Sequence, residues 1–384
     1  MNTPPASALK PMTVMQLLPA LESGGVERGT IEIAAALIAA GHRAIVVSGG
    51  GRMVAELEAL GALHITLPIG KKSLTSLKYI PILRQLMLTH QVDILHLRSR
   101  LPAWLGYLAW KKLDARTRPR LVTTVHGPYT PNFYSAVMVK GERVIAVSDM
   151  IVAYIQQHYP AVPAARITRI YRGVNPVLYA PDYQPDAAWL AAWRAAFPAL
   201  AGQWVITLPG RITRWKGQLD LLAIVQRLAA RNIPVHALIV GGAHPKKQHF
   251  LQEIEQKIQA MGLGARVTCT GQRADLKNIM AISDVVLSLS TDAEAFGRVS
   301  LEALSLGKPV LGYAHGGVGE QLAAMYPAGA IALSDWDAAV EILAAWYRDG
   351  APPVPPERPF TLAHMQAQTL AVYTELMERP RHAG

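Results

Sequence analysis

Two carboxylates stand eight positions apart in Glu294-Ala-Phe-Gly-Arg-Val-Ser-Leu-Glu302, a stretch otherwise made mostly of small or apolar residues. Turn chemistry does not account for them, because Ser290-Thr-Asp-Ala293 can supply the turn on its own. A helix starting near Gly297 puts Glu302 a turn and a half in and leaves Glu294 in the loop feeding it. Such a start exposes backbone N–H groups and the positive end of the helix dipole, a favourable place for an anion. Two acids around an anion site suit hydroxyl recognition beside a phosphate. That combination points to a nucleotide-sugar.

Other residues offer matching chemistry. Pro209-Gly-Arg-Ile-Thr-Arg-Trp-Lys-Gly217 follows a strand-like run and carries Arg211 and Lys216 five positions apart. The arginine fork and the lysine point charge suit a diphosphate, although a solvated basic loop has the same composition. In Glu22-Ser-Gly-Gly-Val-Glu-Arg28, Gly24 and Gly25 let backbone approach a ligand ahead of a helix, as they also would in an ordinary turn. The spacing is not GxGxxG, which excludes the dinucleotide fingerprint. His126-Gly127 follows another strand, where a histidine is either structural or site-facing. Gly316-Gly-Val-Gly-Glu320 offers backbone donors and one acid. Gly241-Gly242 and Gly271 mark strand ends, and Gly49-Gly50-Gly51 reads as a turn.

No metal site is expected. HExxH and cysteine ligands are absent, and Cys269, the single cysteine, excludes an internal disulfide and reads as a small core residue. Asp335-Trp-Asp337 follows Ser334 and precedes Ala338-Ala-Val-Glu-Ile, so it reads as the capped acidic first turn of a helix. Arg211, Lys216 and helix N-termini then neutralise a departing diphosphate in place of a divalent ion.

The net charge of +11 is one-sided. Met1 to Asn175 carry 20 Lys+Arg against 9 Asp+Glu, and the remainder carries 18 of each. A polyanionic partner for the first half follows: nucleic acid, an anionic lipid surface or a phosphorylated glycan. Scattered solubilising cations are the plain alternative. Lys71-Lys-Ser-Leu-Thr-Ser-Leu-Lys-Tyr-Ile-Pro-Ile-Leu-Arg84 interleaves leucines and cations at helical spacing, as a membrane-surface helix or an ordinary packed helix would. Arg98 and Arg100, directly after a strand, are candidates to face an acceptor's anionic groups. Aromatic-rich basic grooves for single-stranded nucleic acid are not evident.

These residues need elements to position them. Val14–Leu18, Ala44–Ser48, His64–Leu67, Ile94–Leu97, Leu121–Val125 and Val144–Val147 read as buried strands. Trp204–Leu208, Val235–Val240, Arg266–Cys269, Val285–Leu289 and Pro309–Gly312 form a second series. Helical patterns such as Glu27–Ala40 and Leu74–His90 lie between. Strand–helix alternation makes parallel sheets covered on both faces, and 384 residues suggest two such domains. Their ligands belong beyond the carboxyl ends of the strands, in a cleft if the two sheets face each other. Residues 176–202, rich in proline, read as the junction between a domain over 1–175 and one over 203–361. A final helix from about Leu362 to Glu378 is placed to cross back onto the first domain. Residues 1–11 read as a loose tail without the apolar core of a secretion signal. No uncharged apolar run reaches about 18 residues, so no membrane span is expected and the cytoplasm is the natural compartment.

With these motifs in this order, almost the whole chain resembles the group 1 family of retaining glycosyltransferases with the GT-B fold (glycosyltransferase family 4). The resemblance rests on Gly24-Gly25, the G-R-x-x-x-x-K-G loop Gly210 to Gly217, the E-x7-E element Glu294 to Glu302, and Gly316 to Glu320, read with one residue's latitude. It implies that Glu294 binds donor-sugar hydroxyls near the reacting carbon and that Glu302 holds ribose hydroxyls. Arg211 and Lys216 hold the donor diphosphate, helped by amides near Phe296, Gly297 and Gly25. His126 faces the donor sugar, and the base, UDP being the expected type, lies near Gly271 to Arg273. The first domain then binds the acceptor. Overall similarity and the charge asymmetry suggest bacterial lipopolysaccharide core assembly, with a lipid-linked or phosphorylated glycan acceptor and peripheral contact with the inner membrane face. The implied mechanism is retention through an oxocarbenium-like transition state in which the leaving phosphate takes the acceptor's proton. Glu294 is the one carboxylate considered as a nucleophile for a double displacement. A soluble acceptor, and a non-catalytic nucleotide-sugar or nucleic-acid binder, are the rival readings.

Overall fold

Buried parallel strands show no inside–outside alternation, so they appear in a sequence as continuous β-branched runs. Those runs become strands in the computed structural model, which describes residues 10–243 and 248–380. Most of the tail expected over residues 1–11 lies outside the described residues. The chain divides into two units, Met1–Arg172 with Ala363–Gly384, and Gly173–Leu362.

In the first unit the strands are β1 (Thr13–Leu17), β2 (Arg43–Ser48), β3 (Leu63–Thr66), β4 (Ile94–Leu97), β5 (Arg120–Val125), β6 (Arg143–Ala146) and β7 (Ile167–Arg169). All pairings are parallel, in the order β3-β2-β1-β4-β5-β6-β7. Every position of β1, β4, β5 and β6 is buried. The helix Leu362–Glu378 belongs to this unit, as the crossing back requires. Its Tyr373 is fully buried, with the hydroxyl 2.7 Å from Nδ1 of His96 in β4. Gln366 Nε2 donates to the Glu32 carbonyl at 2.7 Å, and Glu375 takes an ion pair from Arg143 at 2.5 Å.

The second unit holds β8 (Trp204–Pro209), β9 (Val235–Val240), β10 (Val267–Gly271), β11 (Val285–Ser288), β12 (Val310–Tyr313) and β13 (Ala330–Ile331). They too are parallel, in the order β10-β9-β8-β11-β12-β13. Strand order reverses between β1 and β4 and again between β8 and β11. At such switch points the loops diverge to opposite faces and leave a crevice beyond the strand ends. β7 and β13, three and two residues long, escaped the sequence reading because runs that short carry no pattern. Cys269 is only half-buried, because β10 is an edge strand, and burial pushes its thiol up to about 11.

Residues 176–202, expected as a junction, lie within the second unit. The helix Ala187–Ala196 is capped by Asp186, whose carboxylate accepts from Trp189 N. Trp189, Trp193 and the capping Phe197 follow at fourfold spacing, Trp189 stacked on Trp193 and Phe197 tilted against it, and they pack with Val205, Leu238, Val240 and Ile279. The prolines punctuate the ends of this helix and do not make the segment a linker. Where the unit begins and ends, Val174 and Thr361 form a parallel bridge, with Val174 N donating to Phe360 O and Leu362 N to Val174 O. Among the described residues no helix is long and apolar enough to cross a membrane.

Candidate functional site

The second unit gathers its site where β8 and β11 part. The loop after β8 closes with a turn of 3₁₀ helix, Arg214–Lys216, and Gly217 in the left-handed region at φ 77°. A Cβ on Gly217 would stand 2.1 Å from the Leu289 carbonyl oxygen, so only glycine lets this loop press against the end of β11. Thr291 N donates to Trp215 O at 2.8 Å and ties the two loops together. Across that seam Lys216 Nζ donates to Glu294 Oε1 at 2.7 Å, with the two side chains 15% and 19% exposed. Ser290 Oγ donates to the same carboxylate oxygen at 2.5 Å, and Gly317 N to the Glu294 carbonyl at 2.8 Å.

The helix Arg298–Ser305 begins directly beyond, as the sequence suggested, with Gly297 as its left-handed cap at φ 85°. A Cβ there would come 2.5 Å from Val318. Fully buried Gln321 donates through Nε2 to the carbonyls of Phe296 and Gly297, and Ser300 Oγ donates to Gly297 O at 2.8 Å. With those carbonyls held back, the first N–H groups of the helix and the Lys216 ammonium border one small hollow, lined by Lys216, Ser290, Glu294, Gly297, Val299 and Ser300. A lysine, a carboxylate and a helix start around a hollow can bind a phosphate together with hydroxyl groups.

The other expected donor residues divide. Glu302 is one turn along the same helix, 3.4 Å from Arg298 in an i,i+4 pair. Arg211 stands exposed on the loop after β8, and its carbonyl accepts from Gln218 Nε2. Lys216 is engaged by Glu294 rather than committed jointly with Arg211. Phe296 is buried at 4% exposure, and its carbonyl accepts from Gln321 Nε2. Gly271 ends β10 at a surface position, whereas Arg273 is held in a bidentate pair with Asp275 and lies over Trp193 at 5.6 Å. Asp335 accepts from Ala338 N at 3.0 Å and caps the helix Trp336–Asp349, as its sequence context indicated. Among the described residues no cluster of three or more His, Cys, Asp or Glu side chains is placed to hold a metal ion.

In the first unit, Gly25 opens the helix Gly25–Ala39 after β1, with Gly24 before it. His126 follows β5; its Nδ1 lies 2.5 Å from Arg172 Nη2, while Nε2 is buried without a partner among the described residues. Burial, reinforced by Arg172 and Arg98, holds this imidazole well below its ordinary range. Arg98 corrects the sequence reading. It is 2% exposed, donates from Nη1 to Gln16 Oε1 at 2.8 Å, and burial pushes it down to about 10, so it is not available to face an acceptor. A strand end at the switch point can turn its next side chain into the core as readily as out of it. Arg100 is partly exposed, its guanidinium 4.7 Å from the Tyr129 ring and 5.4 Å from that of Tyr134. Ser290 and Gln321 were missed, since their roles come from contacts between loops far apart in sequence.

Two doubly wound parallel sheets, with a lysine–carboxylate pair at a helix start beyond one switch point, define the class as a two-unit α/β protein with its candidate site at a switch point. Two protein-family models match it, "Glycosyltransferase Family 4" over residues 23–178 and "Glycosyl transferases group 1" over residues 191–358. The chain belongs to the group 1 glycosyltransferases, with a family 4 first half. A solved glycosyltransferase from Rickettsia africae ESF-5 is 27% identical, covers 96% of this chain and 100% of its own, and superposes with a TM-score of 0.81. The Anabaena protein HepE in complex with UDP-glucose shares the fold at 23% identity, 96% and 98% coverage and a TM-score of 0.72. The D-inositol 3-phosphate glycosyltransferase of Rhodococcus opacus (strain B4) is 30% identical over 189 residues, 46% of this chain and 41% of that relative. The chain thus spans about two fifths of the length of the first curated relatives it matches.

Proposed function

We propose that the protein transfers a sugar from a nucleotide-diphospho-sugar, of the UDP type, to an anionic lipid-linked glycan, with retention of anomeric configuration. The observation that carries this is the Lys216–Glu294 pair at the start of the helix Arg298–Ser305. A diphosphate entering the hollow takes over the Lys216 ammonium and meets the helix N–H groups, with Arg211 free to swing onto it. Glu294, released, turns to the sugar hydroxyls, and Glu302 takes the ribose. His126 contacts the donor sugar. As the glycosidic bond to the β-phosphate breaks, positive charge develops at the sugar carbon. The departing phosphate oxygen takes the acceptor's proton on the face of attack, so no protein base is needed. A metal-independent route is part of the proposal, because cations and amides fixed in place can stabilise the leaving charge by several kcal/mol. The complex of HepE with UDP-glucose supports the donor type.

The acceptor reading rests on charge and surface. All of the +11 lies in the first half, and Leu74 and Leu77 stand 87% and 52% exposed among Lys71, Lys72 and Lys78. Exposed leucines flanked by lysines suit the inner face of a bacterial membrane and a lipopolysaccharide-core type of acceptor. The second reading is a soluble phosphorylated acceptor, such as the one for which the Rhodococcus relative is named.

The test is a thermal-shift panel of nucleoside diphosphates and their sugars, followed by diphosphate release with the ligand that raises Tm most. UDP or a UDP-sugar is expected to stabilise the wild type and not Lys216→Ala. A panel in which no diphosphate shifts Tm would sink the reading. Acceleration by anionic vesicles carrying the acceptor, lost in Leu74→Glu, separates the lipid-linked acceptor from the soluble one.

A further inference from the structure

The ring of His126 has an unusual neighbour. Arg172, three residues past the end of β7, brings Nη2 to 2.5 Å from His126 Nδ1. A guanidinium has five N–H donors and no acceptor, so the atom facing it must offer a lone pair. Nδ1 is therefore unprotonated, and the proton of the neutral ring sits on Nε2, the atom left without a partner. Two helices hold the arginine in place. Its Nη1 packs beneath Gly29 of the helix Gly25–Ala39, where a Cβ would come within 2.4 Å. Met365 of the C-terminal helix lies 4.0 Å from the same nitrogen. The arginine itself is 7% exposed.

We propose that Arg172 is a positioning residue that locks His126 as the neutral Nε2–H tautomer, making it a fixed hydrogen-bond donor to a substrate oxygen and barring it from acting as a general base through Nε2. The proposal rests on the reading of His126 as a donor-sugar contact and specifies what that contact is. The charged and titratable groups acting on the ring are Arg172, Arg98 and His96, with Tyr129 on its own loop accepting from His126 N at 3.3 Å. Both arginines disfavour a second ring proton, in line with the geometry. A donor that never titrates between pH 5.5 and 8 keeps its strength constant, which a histidine near its ordinary value of about 6.5 could not do.

Two substitutions separate positioning from mere packing. Arg172→Met removes the donor. Gly29→Ala leaves every charge in place and sets a methyl group 2.4 Å from Arg172 Nη1 and 3.2 Å from Arg98 Nη2, pressing a flexible guanidinium off His126 and sparing the backbone. ¹⁵N spectra of histidine-labelled full-length protein, with His126→Gln to assign the signal, report the tautomer without requiring activity. In the wild type the His126 ring is expected to show Nε2–H and no titration from pH 5.5 to 8. In both variants it should show mixed tautomers and a midpoint moving towards 6.5. Turnover of a UDP-sugar should fall on the order of tenfold or more, chiefly in kcat, with a new inflection near that midpoint. Arg172→Lys, which still donates, should restore the tautomer and much of the rate. A wild-type signal with the proton on Nδ1, or one titrating near 6.5, overturns the lock whatever the enzyme does. Tautomer and pH profile unchanged in Gly29→Ala and Arg172→Met would overturn the role of Arg172. A locked tautomer with no dependence of sugar transfer on His126 would instead overturn the donor-contact reading beneath the proposal.

Discussion

Glu294→Gln should tighten the binding of free UDP while impairing sugar transfer. Lys216 Nζ and Glu294 Oε1 are 2.7 Å apart, and both side chains are more than four-fifths covered. At an effective dielectric of about 20 the gross attraction across that distance is roughly 6 kcal/mol. Most of it is offset by the desolvation of both groups. A diphosphate must draw the ammonium out of this pair and then sit beside the carboxylate it has displaced. Glutamine keeps the shape, and its amide can still meet Ser290, but it removes both the competing partner and the like charge. If about 1–2 kcal/mol of net pairing is relieved, UDP affinity rises by roughly 5- to 30-fold. The sugar loses a charged hydroxyl acceptor, so transfer from a UDP-sugar should fall by one to two orders of magnitude. Titration calorimetry with UDP, beside steady-state rates with the UDP-sugar, measures the two effects separately. Weaker UDP binding in Glu294→Gln would refute the idea that the pair competes with the diphosphate, and Lys216 would then be held in its productive place by Glu294.

Further outcomes follow from the same geometry. Arg211→Ala should raise the Kd for UDP about tenfold without changing Tm, since the side chain is exposed and supports no packing; an unchanged Kd would remove Arg211 from the diphosphate site. Turnover should continue in excess EDTA, and an absolute requirement for Mg²⁺ or Mn²⁺ would overturn the metal-independent route. His96 is buried between Thr124 and Tyr373, and burial holds its imidazole well below 6.5. The unfolded chain therefore takes up a proton that the fold refuses, so stability drops as pH falls below about 6.5, by up to about 1.4 kcal/mol per pH unit from this ring. Urea unfolding at pH 7.5, 6.5 and 5.5 checks this, and a slope no shallower in His96→Asn would assign the loss to other groups.

Apart from β7 and β13, the strands of both units could be read to within a residue or two, because a buried parallel strand reads as a continuous run rich in β-branched residues. Ile94–Leu97 and Val235–Val240 fall where the pattern put them. The helix at 187–196 was hidden because prolines around it dominated the reading, although Trp189, Trp193 and Phe197 already stood at helical spacing. The site was readable where one loop carries its own chemistry, as with Lys216, Glu294 and the helix after Gly297. It was not readable where the role depends on which way a side chain turns. Arg98 follows a strand just as His126 does, yet Gln16 and the helix above draw it into the core. Lys216 was paired in the sequence reading with Arg211 on its own loop, whereas the fold pairs it with an acid 78 positions away.

The clasp between Val174 and Thr361 bears on the order in which the molecule is made. The second unit starts and finishes on adjacent backbone, so it is a guest inserted into a host chain. A Cβ on Gly173 would fall 2.1 Å from the Thr361 carbonyl oxygen, which leaves no room for any other residue at that junction. The host's closing helix reaches His96 through Tyr373, 277 positions downstream. A ribosome therefore delivers seven strands of the host, then the whole guest, and only afterwards the helix that seals the first core. The guest can finish folding while the host still exposes the seat of that helix. Chaperone dependence should accordingly fall on the first 172 residues. The same insertion makes the guest excisable: joining Arg172 to Ala363 through a short flexible link keeps every strand of the host and its seal in one shorter chain.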